Sequence, residues 1–213
     1  VGRTDLTNEM IFTIYGDDTK DIDDAISVER TGKNYRLGVH IADVSNYVKV
    51  GTNLYESAFS RGTSSYLADT VIPMIPHQLS NGICSLNPEV VRLTISCVMT
   101  IDPNGKVIDY DIFPSYIKSR KQMTYKNVNK ILDENIIPLG YEEFADTLKT
   151  MQLLGFNYKA AIGEPLTLML KNFILSKVIE PDSLIALQKI VTPEMVEILK
   201  DETAYENFKQ ITG

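Results

Sequence analysis

The sequence predicts an α+β fold: a mixed, mainly antiparallel sheet with flanking helices, followed by a helical C-terminal part. Two observations support this class. Residues 1–120 carry short apolar runs separated by turn signals, which is typical of strands and hairpins. From Thr124 onward, apolar residues recur at the spacing of helices. The shift near residues 120–150 therefore predicts a domain over residues 1–150 and a helical tail over residues 151–213.

The first predicted strands flank an acidic segment. Residues 10–14 form an apolar run of β type that enters this segment, and residues 25–30 leave it. Thr31-Gly-Lys-Asn34 then separates residues 25–30 from residues 35–41, and this pattern is typical of a hairpin.

A second hairpin is predicted further along the chain. Residues 91–101 alternate apolar and polar side chains, and Asp102-Pro-Asn-Gly105 joins them to a second run over residues 106–113. Between the two hairpins, residues 53–61 predict a short helix. The two prolines within residues 72–77 favour an extended loop there.

The second part of the chain predicts helices. The clearest of them places Phe144, Leu148 and Met151 on one apolar stripe. Thr192 followed by Pro193 is a good start for another, because proline suits the first helical position. The predicted helices cover residues 125–132, 141–154, 166–178, 182–190 and 194–200.

Bulk composition is that of an ordinary globular chain of 213 residues, with 44% apolar and 23% charged residues. No run of about 18 apolar residues is present, so we expect no transmembrane helix. Cys84 and Cys97 both lie in apolar surroundings, which predicts buried, reduced thiols and a cytoplasmic location.

The net charge of −7 argues mildly against a stand-alone nucleic-acid binder, because such proteins are more often basic. One local stretch carries positive charge instead. It contains Lys118, Arg120, Lys121, Lys126 and Lys130. The stretch is either a solvated face or a contact with an RNA backbone.

Five carboxylates fall within eight residues, at Asp17, Asp18, Asp21, Asp23 and Asp24. Carboxylates at this spacing repel each other unless a cation offsets their charge. Mg²⁺ is the usual answer, since it takes a few carboxylate oxygens and completes its shell with water and substrate phosphates. A solvated acidic turn is the alternative. A calcium-binding EF-hand loop does not fit the spacing.

The acidic segment belongs to a longer pattern. The stretch Phe12-Thr-Ile-Tyr-Gly-Asp-Asp-Thr-Lys-Asp-Ile-Asp-Asp-Ala25 resembles the catalytic signature of the ribonuclease II / ribonuclease R (RNB) family, and the bacterial ribonuclease R branch most of all. Further motifs of that family follow in order at residues 39–45, 61–67, 71–76, 79–88 and 123–128.

This resemblance implies a processive 3′→5′ exoribonuclease that uses Mg²⁺ to release nucleoside 5′-monophosphates from the 3′ end of single-stranded RNA. Asp21, Asp23 and Asp24 match the last three of the family's four motif aspartates and are the predicted catalytic residues. With Asp18, they form the predicted metal set. Tyr66 matches the tyrosine that stacks on the 3′-terminal nucleotide, a contact that needs no base sequence.

Four further residues match recurrent family positions to which we assign supporting roles: Lys20, His40, Asp43 and Arg92. His40 lies between apolar neighbours in a strand, and we predict a core histidine with its hydrogen bonds satisfied.

The chain departs from the family at its first motif aspartate, where Tyr15 stands. A phenol is neutral at pH 7 and is a poor substitute for a carboxylate ligand. Val91 and Asn46 are lesser departures, and residues 155–213 do not resemble the family. Two functions therefore stay open. One is an exoribonuclease fragment impaired by Tyr15 and by truncation, and the other is a catalytically dead RNA- or protein-binding remnant.

Overall fold

The computed structural model describes residues 2–67 and 70–162, and a seven-stranded mixed sheet lies at its centre. The strands are β1 (Thr4–Asp5), β2 (Phe12–Tyr15), β3 (Asp24–Thr31), β4 (Asn34–Ala42), β5 (Ser65–Tyr66), β6 (Val71–Ile72), β7 (Val91–Ile101), β8 (Val107–Lys118) and β9 (Lys121–Thr124). The order in the large sheet is β1-β8-β7-β4-β3-β2-β9. The strands β1 and β9 pair in parallel with β8 and β2, and the other neighbours are antiparallel. The predicted mixed, mainly antiparallel sheet is confirmed.

Both predicted hairpins are present. In the first, β3 pairs with β4 along the whole length of β3, and Gly32 turns the chain with φ of 62°, a value that glycine adopts without steric cost. In the second, Asp102 closes the turn because its Oδ1 atom accepts hydrogen bonds from the backbone N–H groups of Asn104 and Lys106, each at 2.9 Å. The strand β8 continues to Lys118, beyond the predicted end of the second hairpin.

Three helices are described: α1 (Asn53–Arg61), α2 (Tyr125–Asp133) and α3 (Ala145–Ile162). The sequence prediction for α1 has the same bounds, and that for α2 ends one residue early. Threonine caps begin both helices, because Thr52 accepts from the Tyr55 N–H and Thr124 accepts from the Asn127 N–H.

The predicted helix over residues 141–154 is a short 3₁₀ turn at Glu142–Phe144 that leads directly into α3. The helix α3 runs across the predicted boundary at residue 150. The predicted helices over residues 166–178, 182–190 and 194–200 lie outside the described residues. A π-helical turn at Gln78–Ile83, which the sequence does not predict, follows the extended segment after β6.

Apolar side chains cover both faces of the large sheet. Alternation along β3 separates them, since Ala25 belongs to one cluster and Ile26 packs against the other. The cluster beneath α2 and α3 contains Phe12, Met123, Val128, Ile131, Tyr141, Phe144, Ala145 and Leu148. The opposite cluster contains Leu6, Ile11, Ile22, Ala25, Ala42, Leu86 and Ile117. The carboxylates of the acidic segment therefore stand at the end of strands that are held rigidly on both faces.

Three predicted core residues are confirmed. Cys84 and Cys97 are buried and form no disulfide. His40 is buried completely, and both ring nitrogens have hydroxyl partners: Nδ1 lies 2.7 Å from Ser96 Oγ and Nε2 lies 3.2 Å from Ser27 Oγ. Within the described residues, none of the helices has the length and apolar character needed to span a membrane.

Candidate active site

The acidic segment connects β2 to β3, and the pairing of these strands places its ends. Phe12 in β2 lies opposite Ile26 in β3 in an antiparallel pair. Continuing this register brings Tyr15, the last residue of β2, level with the start of β3. On its other side Tyr15 is paired with Thr124, the last residue of β9. The Tyr15 backbone therefore lies between two strands, and the residue is level with the carboxylates at the start of β3.

The Tyr15 hydroxyl is the point on which two carboxylates converge. Tyr15 Oη lies 2.8 Å from Asp23 Oδ1 and makes a short hydrogen bond with Asp24 Oδ1. The same oxygen accepts hydrogen bonds from the backbone N–H groups of Asp23, at 3.2 Å, and Asp24, at 3.1 Å. Two carboxylates and two backbone amides thus surround one phenol oxygen.

These contacts use the whole hydrogen-bonding capacity of the hydroxyl, which has one proton to donate and two lone pairs to accept with. The two amides take the lone pairs, and the single proton faces both carboxylates. Burial, followed by the hydrogen bond to Asp24, raises the pKa of Tyr15 well above its usual range. The phenol therefore keeps its proton at neutral pH and separates two negative charges that would otherwise face each other.

The backbone of the acidic segment is fixed by a distant residue, Ser85. Its hydroxyl donates to the Lys20 carbonyl oxygen at 2.8 Å and accepts from the Ile22 N–H at 3.2 Å. Next to it, the Leu86 N–H donates to the Ile22 carbonyl oxygen at 2.8 Å. The role of Ser85 as an anchor was not predicted, although the residue lies within the sequence motif at residues 79–88.

The other predicted site carboxylates stand apart from the Tyr15 hydroxyl. Burial raises the pKa of Asp21, the nearby charge of Asp23 adds to this, and His77 opposes it. Asp18 is exposed in the turn between β2 and β3. Of the predicted metal set, Asp23 and Asp24 share a partner atom, the Tyr15 hydroxyl oxygen.

The residues present do not fit a Mg²⁺ ion as they are arranged. Among the described residues, no group of three or more His, Cys, Asp or Glu side chains is placed to hold a metal. Mg²⁺ requires oxygen ligands in near-octahedral geometry at about 2.0–2.1 Å. The place where Asp23 and Asp24 converge is taken by the Tyr15 oxygen. The predicted four-carboxylate metal set therefore stays a prediction.

The predicted RNA-stacking residue lies on a separate element. Tyr66 belongs to β5, which among the described strands pairs with β6 alone in a two-stranded sheet, and Tyr66 lies opposite Val71. The side chain of Tyr66 is outside what the structure describes. Its stacking role stays a prediction.

Two of the predicted supporting residues, Asp43 and Arg92, make hydrogen bonds or ion pairs near the acidic segment. Burial alone would raise the pKa of Asp43, but hydrogen bonds from Ser45 and Arg3 and the charge of Arg3 outweigh it and lower the pKa below the usual value. The Arg3–Asp43 ion pair has an N–O distance of 2.5 Å. Arg92 Nε donates to the Ser85 carbonyl oxygen at 2.8 Å, so Arg92 steadies the anchor of the acidic segment.

Most of the predicted basic stretch is occupied by contacts within the structure. These are Lys118 with Glu89, Arg120 with the carbonyl oxygens of Asn8 and Glu9, and Lys121 with the ring of Tyr141. Lys126 and Lys130 lie on α2, which begins beside Tyr15. This favours a structural role for the first part of the stretch and leaves the α2 lysines as candidates for a backbone contact.

Comparison with known proteins gives a consistent match. The sequence profile described as the RNB domain matches residues 3–160, which extends beyond the motifs recognised in the sequence. Ribonuclease R of Thermotoga maritima is 56% identical over 149 residues, which are 70% of this chain and 21% of that protein. The chain therefore spans about a fifth of the length of this curated relative.

Solved structures agree with the sequence match. Mycoplasma genitalium RNase R in complex with double-stranded RNA has a TM-score of 0.71 and 33% identity, and the match covers 74% of this chain and 28% of that one. The same protein in complex with ribose methylated single-stranded RNA has the same score and identity, with 25% of that chain covered.

Proposed function

This chain belongs to the RNB domain family, and we propose that it is part of a 3′→5′ exoribonuclease domain that acts on the 3′ end of single-stranded RNA. The observation that supports this best is the convergence of Asp23 and Asp24 on one point at the junction of β2 and β3. Paired carboxylates of this kind are suited to hold metal ions at a phosphodiester. The ribonuclease R relatives and the RNA complexes of one of them support RNA as the substrate class.

We further propose that Tyr15 weakens hydrolysis in this chain. Its hydroxyl occupies the position that both carboxylates face, and its high pKa means that the proton stays at neutral pH. Mg²⁺ is the proposed cofactor of the domain. In the present arrangement Asp23 and Asp24 satisfy the phenol, so we derive no catalytic step through a metal from this geometry.

A catalytically dead RNA- or protein-binding remnant is the second candidate function. The complete hydrogen bonding of the Tyr15 hydroxyl favours this candidate. Moving the hydroxyl away to admit a metal would break its contacts with two N–H donors and two carboxylates. This candidate predicts retention of RNA or of a protein partner without turnover.

The test compares hydrolysis of a single-stranded RNA labelled uniformly at its phosphates by three proteins: the native chain, Tyr15→Asp and Tyr15→Phe. Each is assayed with Mg²⁺ and with a chelator, and RNA binding is measured in parallel in the chelator. Tyr15→Phe is the matched control, since it removes the hydroxyl without supplying a ligand. Asp24→Asn in the Tyr15→Asp background tests whether any restored activity uses the predicted carboxylate.

The outcomes separate the candidates. We expect weak or no monophosphate release by the native chain and Mg²⁺-dependent release by Tyr15→Asp. Release by the native chain at the rate of Tyr15→Asp would refute a role for Tyr15 as a barrier. RNA binding without release by any variant would favour the remnant. Neither binding nor release would reject both RNA-directed functions.

We extend the proposal to a cytoplasmic location. Its support is the pair of thiols at Cys84 and Cys97, which are buried and form no disulfide. Unpaired cysteines suit a reducing compartment. Localisation of the tagged protein by fractionation tests this, and recovery from an oxidising compartment would contradict it.

A further inference from the structure

Two hydrogen bonds join the end of α1 to the chain that leaves β6. Arg61, the last residue of α1, donates from Nη1 to the Pro73 carbonyl oxygen at 2.8 Å. A few residues later, Ser64 Oγ accepts from the Met74 N–H at 2.9 Å. Both bonds reach consecutive residues directly after β6, so together they act as a clamp on the exit of the small sheet.

The glycine after α1 makes this clamp possible. Gly62 has φ of 72°, and its N–H closes the helix on the Ala58 carbonyl oxygen at 3.0 Å. This left-handed conformation ends the helix at Arg61 and redirects the chain into Ser64 and β5. The arginine is thus fixed on the last turn of a capped helix, and it binds the chain directly after the hairpin.

The hairpin itself has little to hold it in place. Its ladder contains two residue pairs, Ser65 with Ile72 and Tyr66 with Val71, and none of its described residues pairs with the large sheet. Val71 and Ile72 are exposed, so their burial contributes little. A two-stranded hairpin of this size is marginally stable alone. Its orientation must therefore depend on contacts outside its ladder, such as the clamp.

We propose that Arg61 is a positioning residue for Tyr66: through Pro73 it fixes the hairpin whose first strand contains Tyr66, with Ser64 as the second half of the clamp. The proposal rests on the proposed function and on the predicted role of Tyr66 as the base-stacking residue. A stacking side chain binds most tightly when its position is fixed before the base arrives. Otherwise the entropy cost of ordering it on binding weakens the affinity.

Arg61 is exposed, so a direct contact with an RNA phosphate is the competing explanation for any effect of its removal. The two roles differ in salt dependence. Removing a phosphate contact lowers the slope of log affinity against log salt by about 1. Removing a positioning residue leaves that slope unchanged, because no counterion is released by a hydrogen bond to a carbonyl oxygen.

The first experiment needs no RNA. Amide hydrogen exchange is compared between the native chain and Arg61→Met at the Met74 and Leu67 N–H groups, of which Leu67 bonds to the Thr70 carbonyl oxygen inside the hairpin. We expect exchange at both amides to become faster by about three- to tenfold. Arg30→Met is the matched control, since Arg30 is also exposed and donates to a carbonyl oxygen, that of Gly32.

The second experiment measures binding of a fluorescent single-stranded RNA in a chelating buffer. We expect Arg61→Met to bind about three- to tenfold more weakly than the native chain at every salt concentration. Arg61→Lys, which keeps a donor, should recover part of the loss, and Arg30→Met should match the native chain. In a Tyr66→Ala background, Arg61→Met should have no further effect.

Each result bears on the proposal. Unchanged exchange in Arg61→Met, a reduced salt slope, or an undiminished loss in the Tyr66→Ala background would overturn the positioning role. If the native chain bound no RNA, the proposed function and the RNA-binding role of Arg61 would both fall, and the exchange data would still decide the clamp. RNA binding that is lost in Tyr66→Ala but kept in Arg61→Met would overturn the inference alone.

Discussion

Two polar clusters in the same sheet satisfy their hydrogen bonds in different ways. We call the first the His40 cluster, and its members are Ser27, His40, Thr94, Ser96 and Ser115. Its groups are all neutral at pH 7: His40 bridges Ser27 and Ser96, and Ser115 continues the chain to Ser96 at 2.5 Å and Thr94 at 2.7 Å. All five residues are buried. The cluster is a closed network of short side chains in the middle of the strands.

The second is the Tyr15 cluster, whose members are Tyr15, Asp23 and Asp24. It lies at a strand end, and its two carboxylates are exposed. Here two negative groups face one hydroxyl proton. A network of neutral hydroxyls can be completed by rotating O–H bonds, but two carboxylates have only acceptors and need a proton or a cation from elsewhere.

This difference shows which polar cluster can complete its hydrogen bonds within the chain and which favours a bound ligand. The hydrogen bonds of the His40 cluster are completed without any group from outside the chain. The cluster also requires glycine at position 38, because an added Cβ there would lie 2.4 Å from Ser27 Oγ. Paired carboxylates are the kind of arrangement that recruits a ligand. In this chain Tyr15 supplies the missing proton from within, which makes the acidic site resemble the His40 cluster and weakens its need for a cation.

The largest expected effect is the pH dependence contributed by His40. Burial, followed by the charge of Arg36, lowers the pKa of His40 to about 4, from an ordinary value of 6.5. Between pH 6.5 and pH 4, His40 therefore binds a proton in the unfolded chain but not in the folded chain. Stability is complete above pH 6.5 and falls as the pH drops from 6.5 to 4, by about 3 kcal/mol in all.

Urea unfolding at pH 7 and pH 4 measures this loss, with His40→Gln as the control that cannot titrate. The fall in unfolding free energy should be larger in the native chain than in His40→Gln. Equal falls would mean that other groups cause the acid sensitivity and that the His40 cluster tolerates a charge.

The next effect is the loss of the imidazole itself. His40→Leu leaves Ser27 Oγ buried without its ring partner, whereas Ser96 keeps Ser115. A buried unsatisfied hydroxyl costs about 1–3 kcal/mol, so we expect a loss of about 2 kcal/mol in unfolding free energy at pH 7. The double variant His40→Leu/Ser27→Ala should recover part of this loss. A double variant that is less stable than His40→Leu would show that Ser27 has found another partner.

The parts of the fold that sequence predicts well are local. The hairpin at Gly32, the bounds of α1 and the burial of His40 all follow from residues close together in the chain. The Tyr15 cluster could be predicted only in part. The sequence shows that Tyr15 replaces a motif aspartate, but the bridging of Asp23 and Asp24 by its hydroxyl depends on the register of β2 against β3.

Long-range contacts account for the features of the structure that the sequence does not predict. Ser85 anchors the acidic segment from 63 residues away, and nothing in the segment itself indicates this partner. The clamp of Arg61 on Pro73 depends in the same way on how the chain returns after β6. Side-chain hydrogen bonds to backbone groups are difficult to predict because any polar residue of sufficient reach can make them.

A smaller effect tests whether the Tyr15 cluster is self-sufficient. Tyr15→Phe removes the proton that Asp23 and Asp24 share, so we expect a loss of about 1 kcal/mol in unfolding free energy in a chelating buffer. Added Mg²⁺ should raise the melting temperature of Tyr15→Phe more than that of the native chain, because the two carboxylates then lose the hydroxyl that they share. A native chain that responds as strongly as the variant would show that a cation displaces the hydroxyl.

The smallest effect concerns Asp18, which the sequence places in the metal set and the structure leaves exposed, with no hydrogen bond or ion pair among the contacts of the described residues. Asp18→Asn should change the unfolding free energy by less than about 0.5 kcal/mol. In the Tyr15→Phe background it should also leave the response to Mg²⁺ unchanged, whereas Asp24→Asn should abolish it. If Asp18→Asn abolished that response too, Asp18 would belong to the metal set, and the segment would have to rearrange when the hydroxyl is removed. Melting curves of these variants with Mg²⁺ and with a chelator therefore separate carboxylates that converge in the fold from one that is close only in sequence.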